Sequence, residues 1–228
     1  MHRWMITVRS LARKMGMTGL INRVCPATSY ESRVYEALTG AVEPGDVVWD
    51  VGANVGVYSA LLCERVGRDG RVIAFEPFPE ACDRIRERMP NCDWLQVENV
   101  ALGDADTAGR LVTGPKSVEN HVETETDKRE GNVGSIPIRI CRGDTMCDRL
   151  GQVPNVVKVD VEGFEEEVLE GMGKMLTYSD LRSILVEVHF MKLEKRGQPM
   201  APLRIEKLLG AKGFKTNWVD ASHLFATR

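Results

Sequence analysis

The chain has no apolar run approaching the ~20 residues that a membrane-spanning helix needs. It has no excess of one charge: Lys+Arg is 30 against Asp+Glu 33, a net charge of -3. That near-balance gives no general attraction to nucleic acid or to an acidic membrane. Aromatic residues make up only 6%, with no basic tract interleaved among them to stack bases. The six cysteines form no CxxC pair, and no His stands at zinc-finger spacing. Disulfide miniproteins, zinc fingers, coiled coils and integral membrane proteins are therefore excluded. What remains is an ordinary mixture, 43% hydrophobic and 28% charged in 228 residues, enough for one domain with a sizeable core.

Cys63 and Cys82 fall within apolar helical patterns, where a thiol acts as a small buried hydrophobe, and a reducing cytoplasm fits best. The start, MHRWMITVRSLARKMG, is basic and amphipathic without a continuous apolar core, so it does not read as a secretory signal. Residues 1–40 are expected to form a helical extension packed on a domain spanning 41–228. A surface anchor or a mobile cover is the alternative for this extension.

Short strands alternate with helices along the rest. Strands are predicted at Val47–Val51, Arg71–Phe75, Trp94–Val100, Asn155–Val161 and Leu181–Phe190, with helices over Val55–Val66, Pro79–Met89 and Pro202–Ala211. A further helix carries Phe164, Val168, Leu169 and Met172 on one face. Phe214–Val219 and His223–Thr227 would close the chain as an antiparallel hairpin. Strands apolar on both faces, separated by helices, imply an α/β fold: a mostly parallel sheet between two helical layers. The pattern weakens between Ala101 and Leu150. Two faint strand signals, Gly109–Thr113 and Ile136–Cys141, flank a polar stretch, Gly114–Ser135, that reads as a flexible loop or an active-site lid.

The sharpest motif is VWDVGANVGVYS at 48–59. A strand carrying Asp50 turns through Gly52, Ala53, Asn54 and Gly56 into a helix, a shape that lets a ligand approach the backbone and its free N–H groups. A dinucleotide fingerprint would need glycine where Asn54 and Val57 stand, and an acid at this turn repels a diphosphate. Asp50 is instead suited to a sulfonium or an ammonium. The second strand ends in Glu76, 26 residues past Asp50, able to accept both hydroxyls of a ribose. Pro77 and Phe78 follow, with Phe78 set either to cover a purine or to pack at the helix start. Lys158 and Asp160 share one face of a strand that should be buried. Glu187 and His189 repeat the oddity on the next, so these charges must be paired, as in a Lys158–Glu187 ion pair, or belong to a site.

The segments VWDVGANVGVYS, AFEPFPEA, NVALGD, KVDVEGFEEEVLEG and ILVEVHF, in this order, resemble the FkbM family of S-adenosylmethionine-dependent methyltransferases over roughly Val47–Thr227. The resemblance implies a three-layer, Rossmann-like class I methyltransferase fold, a seven-stranded sheet with an antiparallel last strand. It also implies methyl transfer, usually to a hydroxyl of a metabolite, glycan or lipid. Carried over by position, Asp50, Gly52, Ala53, Asn54 and Gly56 should hold the methionine part of S-adenosyl-L-methionine. Glu76, with Pro77 and Phe78, should hold its ribose side, and Asn99 and Val100 should lie by the adenine. Asp160 should face the methionine amino group or the acceptor. RGDTM at 142–146 departs from the family, which more often has an apolar residue before Asp144.

A hydroxyl acceptor must lose a proton. His189 is the first candidate to take it, because imidazole titrates near neutrality, followed by Asp160 and then His121 in the loop. Asp160, Glu162 and Glu187 are hard oxygen ligands, but their spacing fixes no coordination shell and no metal is assigned. The expected partner is a small hydroxylated molecule, with no nucleic acid and no stable membrane insertion; self-association is left open. The alternatives are a module that binds the cofactor without catalysis and an N-methyltransferase acting on a small molecule. A base N-methylating enzyme would carry Asn/Asp-Pro-Pro-aromatic where Asp160-Val161-Glu162-Gly163 stands.

Overall fold

A computed structural model describes residues 27–112, 121–124 and 134–228. In chain order the elements are α1 (Ala27–Ala41), β1 (Val47–Val51), α2 (Val57–Val66), β2 (Arg71–Phe75), α3 (Pro79–Arg88) and β3 (Leu95–Glu98). There follow β4 (Ala101–Gly103), β5 (Thr107–Val112), β6 (His121–Thr124), β7 (Ser135–Arg142) and α4 (Gly143–Leu150). The last part holds β8 (Val156–Val159), α5 (Glu165–Gly171), β9 (Ser183–Glu187), α6 (Phe190–Lys195), α7 (Ala201–Ala211), β10 (Lys215–Trp218) and β11 (His223–Thr227).

The main sheet has seven strands in the order β10-β11-β9-β8-β1-β2-β3. β11 runs antiparallel to both its neighbours, so the last strand slots between β9 and β10. Alternation assigns the faces. Val48, Val72, Val156 and Leu185 pack with Val34 and Leu38 of α1 and Leu62 and Val66 of α2. Trp49, Ile73, Val157 and Ile184 point the other way, onto Val168 and Leu169 of α5 and Ile205 and Leu209 of α7. Both faces are thus covered, which is why the inner strands read as continuous apolar runs. Within the stretch expected to be an extension, α1 places Val34 and Leu38 in the core. Residues 1–26, with the basic start, lie outside the described residues.

Three expectations are corrected. The third strand does not run through Val100. It stops at Glu98, and after a bend Ala101–Gly103 pairs in parallel with β7 instead of with β2. The fifth ends at Glu187, opposite the first residue of β11, His223, and His189 then opens α6. The stretch 114–135 is not loop throughout: β6 pairs antiparallel with β5. It joins a second sheet of four strands, β4-β7-β5-β6. The rest of that stretch, 114–120 and 125–133, lies outside the described residues, as does any lid there.

Candidate active site

The site opens at the carboxyl ends of β1, β2 and β8, where parallel sheets of this kind receive ligands. Leaving β1, the chain bends at once. The φ of Gly52 is +80°, and a Cβ there would fall onto the Asp160 carbonyl oxygen. Only glycine lets the β1 and β8 ends approach so closely. Asn54, φ +50°, and Gly56, φ +76°, complete the turn into α2. A cavity of about 310 Å³ lies against this turn, with Gly52, Asn54, Glu76, Phe78, Val100 and Asp160 in its wall. Pro77 also lines it, and the second sheet supplies Leu111 and Val122.

Glu76 is clamped. Its Oε2 accepts the N–H of Asn54 at 2.8 Å and its Oε1 accepts the N–H of Phe78 at 2.9 Å. Burial pushes its carboxyl up, and those two backbone donors work against the push. Each oxygen has a further lone pair, so two hydroxyls can still be accepted. The glycine cradle and this pinned carboxylate fit the methionine and ribose parts of S-adenosylmethionine.

Several site residues stand behind the cavity wall. Asp50 is fully buried. Ser59 donates to its Oδ2 at 2.6 Å and Lys158 to its Oδ1 at 3.3 Å. Lys158 also donates to Asp160 at 3.3 Å, and its ammonium lies 4.6 Å from the Tyr58 ring centre. The structural alternative of a Lys158–Glu187 ion pair is corrected: Lys158 pairs with Asp50 and Asp160. Lys158 faces Asp50 across the β1–β8 register, whereas Leu185 is its partner on β9. The Asp50 carboxylate, expected to face a cationic ligand, is here held between that lysine and Ser59 of α2. Asn99 also braces: its side-chain N–H groups donate to the carbonyls of Glu76 and Pro77. Ala53 packs on Ala74 and Ile85. The backbone of His121 pairs with Val112, and its side chain lies outside the described residues.

At the other end of the cavity an acidic cluster gathers around His189. Nδ1 lies 2.7 Å from Oε1 of Glu165. Nε2 lies 3.1 Å from Oε2 of Glu162 and 3.8 Å from Oδ1 of Asp160. Burial alone would lower this imidazole's affinity for a proton, but the hydrogen bond to Glu165 and the surrounding carboxylates push it up to about 9. Those carboxylates favour the protonated ring, which works against the role of proton acceptor expected of His189. Glu162 and Glu165 were not singled out for the site as proton carriers or braces. The signal was present in the acidic run VEGFEEE, but nothing in it says which acid turns inward.

Solved structures with this architecture include fibrillarin of Aeropyrum pernix with natively bound S-adenosyl-L-methionine, TM-score 0.51 and 12% identity over 82% of this chain and 67% of that one. Another is a precorrin-6y C5,15-methyltransferase of Geobacter metallireducens, TM-score 0.51 and 13% identity over 87% and 89% of the two chains. The fold is that of the class I S-adenosylmethionine-dependent methyltransferases. Residues 50–216 match the methyltransferase FkbM domain, and the chain belongs to that family, with S-adenosylmethionine as its cofactor. Among curated relatives, the hexuronic acid methyltransferase AglP of Haloferax volcanii is 33% identical over 70% of this chain and 62% of its own length. The 2-O-methyltransferase NoeI of Sinorhizobium fredii is 26% identical over 64% and 65%. The matches thus span less than two thirds of these relatives.

Proposed function

We propose that the chain methylates a hydroxyl of a small molecule, with a sugar as the favoured class. The observation that carries this reading is the two-ended cavity, a glycine-and-glutamate cradle at one end and the Asp160–Glu162–His189 cluster at the other. When bound, S-adenosylmethionine supplies a methyl group on a positively charged sulfur. The chain's own residues do the rest. Gly52 and Asn54 fix the backbone path, Glu76 orients the ribose, and the cluster orients the acceptor hydroxyl and receives its proton. Holding two reactants in line supplies ~7–11 kcal/mol of a barrier, whereas a general base contributes about 10²–10⁴-fold, so positioning is the larger effect. Relatives named for a hexuronic acid and for 2-O-methylation support a sugar oxygen as the acceptor. Among the described residues no helix is long and apolar enough to cross a membrane.

The test is a panel of sugars and other hydroxylated acceptors incubated with isotopically labelled donor and read by mass shift. A labelled methyl ether supports the reading, and label on nitrogen alone, or on none of them, defeats it. By removing a group that positions the acceptor hydroxyl, His189→Ala should lower turnover about a hundredfold and change S-adenosylhomocysteine affinity less than about threefold. Calorimetry beside the turnover assay checks this, and full activity would remove His189 from the acceptor end.

A further inference from the structure

We propose that Asp160, Glu162 and His189 are ligands of a divalent cation at the acceptor end of the cavity. One ligand atom from each lies within 4.8 Å of the others. They converge from two elements: the turn after β8 brings Asp160 and Glu162, and the end of β9 brings His189. Glu162 reaches the cluster from a left-handed backbone, φ +57°. Two carboxylate oxygens and one imidazole nitrogen suit a cation of the Mn²⁺ type, between the oxygen-seeking Mg²⁺ and the nitrogen-seeking later metals.

The spacing fits a shared ion. Two atoms each about 2.2 Å from one cation are about 3.1 Å apart at a right angle and about 3.8 Å apart at a wider angle. Nε2 of His189 is 3.1 Å from the Glu162 oxygen and 3.8 Å from that of Asp160. The second of these is too long for a hydrogen bond.

A separate observation lies behind the ring. Glu165 is fully buried, and its Oε1 holds both the N–H of Gly163 at 2.8 Å and Nδ1 of His189 at 2.7 Å. That contact keeps a proton on Nδ1 and turns Nε2 toward Asp160 and Glu162, as carboxylates do behind metal-binding histidines. The other oxygen, Oε2, is buried and has no hydrogen-bond partner among the described residues. A buried anion with an unmatched oxygen is costly, and a cation on the far side of the imidazole offsets that cost. Two local cations reach the same carboxylates. Lys158 divides itself between Asp50 and Asp160, and Lys192 lies 2.6 Å from the Glu162 oxygen that faces His189, so an ion here competes with Lys192 for that oxygen.

The cation's role rests on the methyl-transfer reading; its binding does not. An ion here leaves positions for two adjacent acceptor oxygens, a vicinal diol or a hydroxyl beside a carboxylate. It also reverses the sign of an end that would otherwise repel an acidic acceptor.

The test is Mn²⁺ binding to the whole chain with neither cofactor nor acceptor, read from the loss of the free-ion electron paramagnetic resonance signal. One equivalent should bind. Glu162→Gln and Asp160→Asn should each weaken binding at least tenfold, with thermal melting confirming the fold. Lys192→Met should tighten it by removing a competing ammonium. Absence of binding, or binding indifferent to both carboxamide changes, overturns the proposal. So does displacement of Mn²⁺ by saturating S-adenosylhomocysteine, which would make the cluster the seat of the amino-acid ammonium. Failure of the methyl-transfer reading would appear separately, as a chain that binds Mn²⁺ but methylates none of the acceptors.

Discussion

Both oxygens of Glu76 are tied to backbone N–H groups of the two loops that frame the cavity. A glutamine there can accept one of those bonds but turns its NH₂ toward the other N–H, leaving a buried donor unmatched at a cost of about 1–3 kcal/mol. Glu76→Gln should therefore weaken S-adenosylhomocysteine binding by about tenfold to a hundredfold, as calorimetry would show. Unchanged affinity would remove the ribose role. A second residue-scale effect concerns His223, opposite Glu187 across the β9–β11 ladder. Burial pulls its affinity for a proton down, but the hydrogen bonds it donates to the Asp220 and Glu187 carboxylates carry it up to about 9. Because the folded value lies above the unfolded ~6.5, the stabilisation is complete below that pH and is lost as pH rises through about 9. The stability advantage of the wild type over His223→Gln in urea unfolding should be largest near pH 6 and shrink by roughly 1–3 kcal/mol toward pH 9.5. A flat difference would refute the linkage.

At the scale of elements, two helix glycines make opposite predictions. A Cβ on Gly171 would strike the Gly103 carbonyl, because α5 lies directly on β4. Gly210, near the end of α7, has nothing within 4 Å. Gly171→Ala should cost about 1–3 kcal/mol by overpacking, whereas Gly210→Ala should add about 0.5–1 kcal/mol. Urea midpoints measure both, and a stabilised Gly171→Ala would contradict the close α5–β4 packing. Val47–Val51 and Arg71–Phe75 were legible to the residue, since a buried strand between turn signals carries its own mark. β4, three residues long, and β6, four, carry none; they are strands because β7 and β5 supply the pairing.

For the whole molecule, the cavity joins parts distant in sequence: the turn after β1, the end of β2, the second sheet and the β8–β9 ends. A ligand bridging them should hold the fold together. S-adenosylhomocysteine at a hundred times its dissociation constant should add about 2.7 kcal/mol to unfolding, while NAD adds nothing measurable. Equal effects of the two in thermal or urea unfolding would argue against the cofactor cradle. What the sequence determined alone was the alternation of strand and helix, the antiparallel end, the glycine turn and the acid after β2. Each is written in a few adjacent residues through periodicity or backbone permissiveness. The tertiary structure alone decided which charges meet. Asp50 answers Lys158 through strand register, and Glu165 answers His189 through the packing of a helix start against a strand end. Such pairings depend on which faces are brought together in space, and no local pattern encodes that.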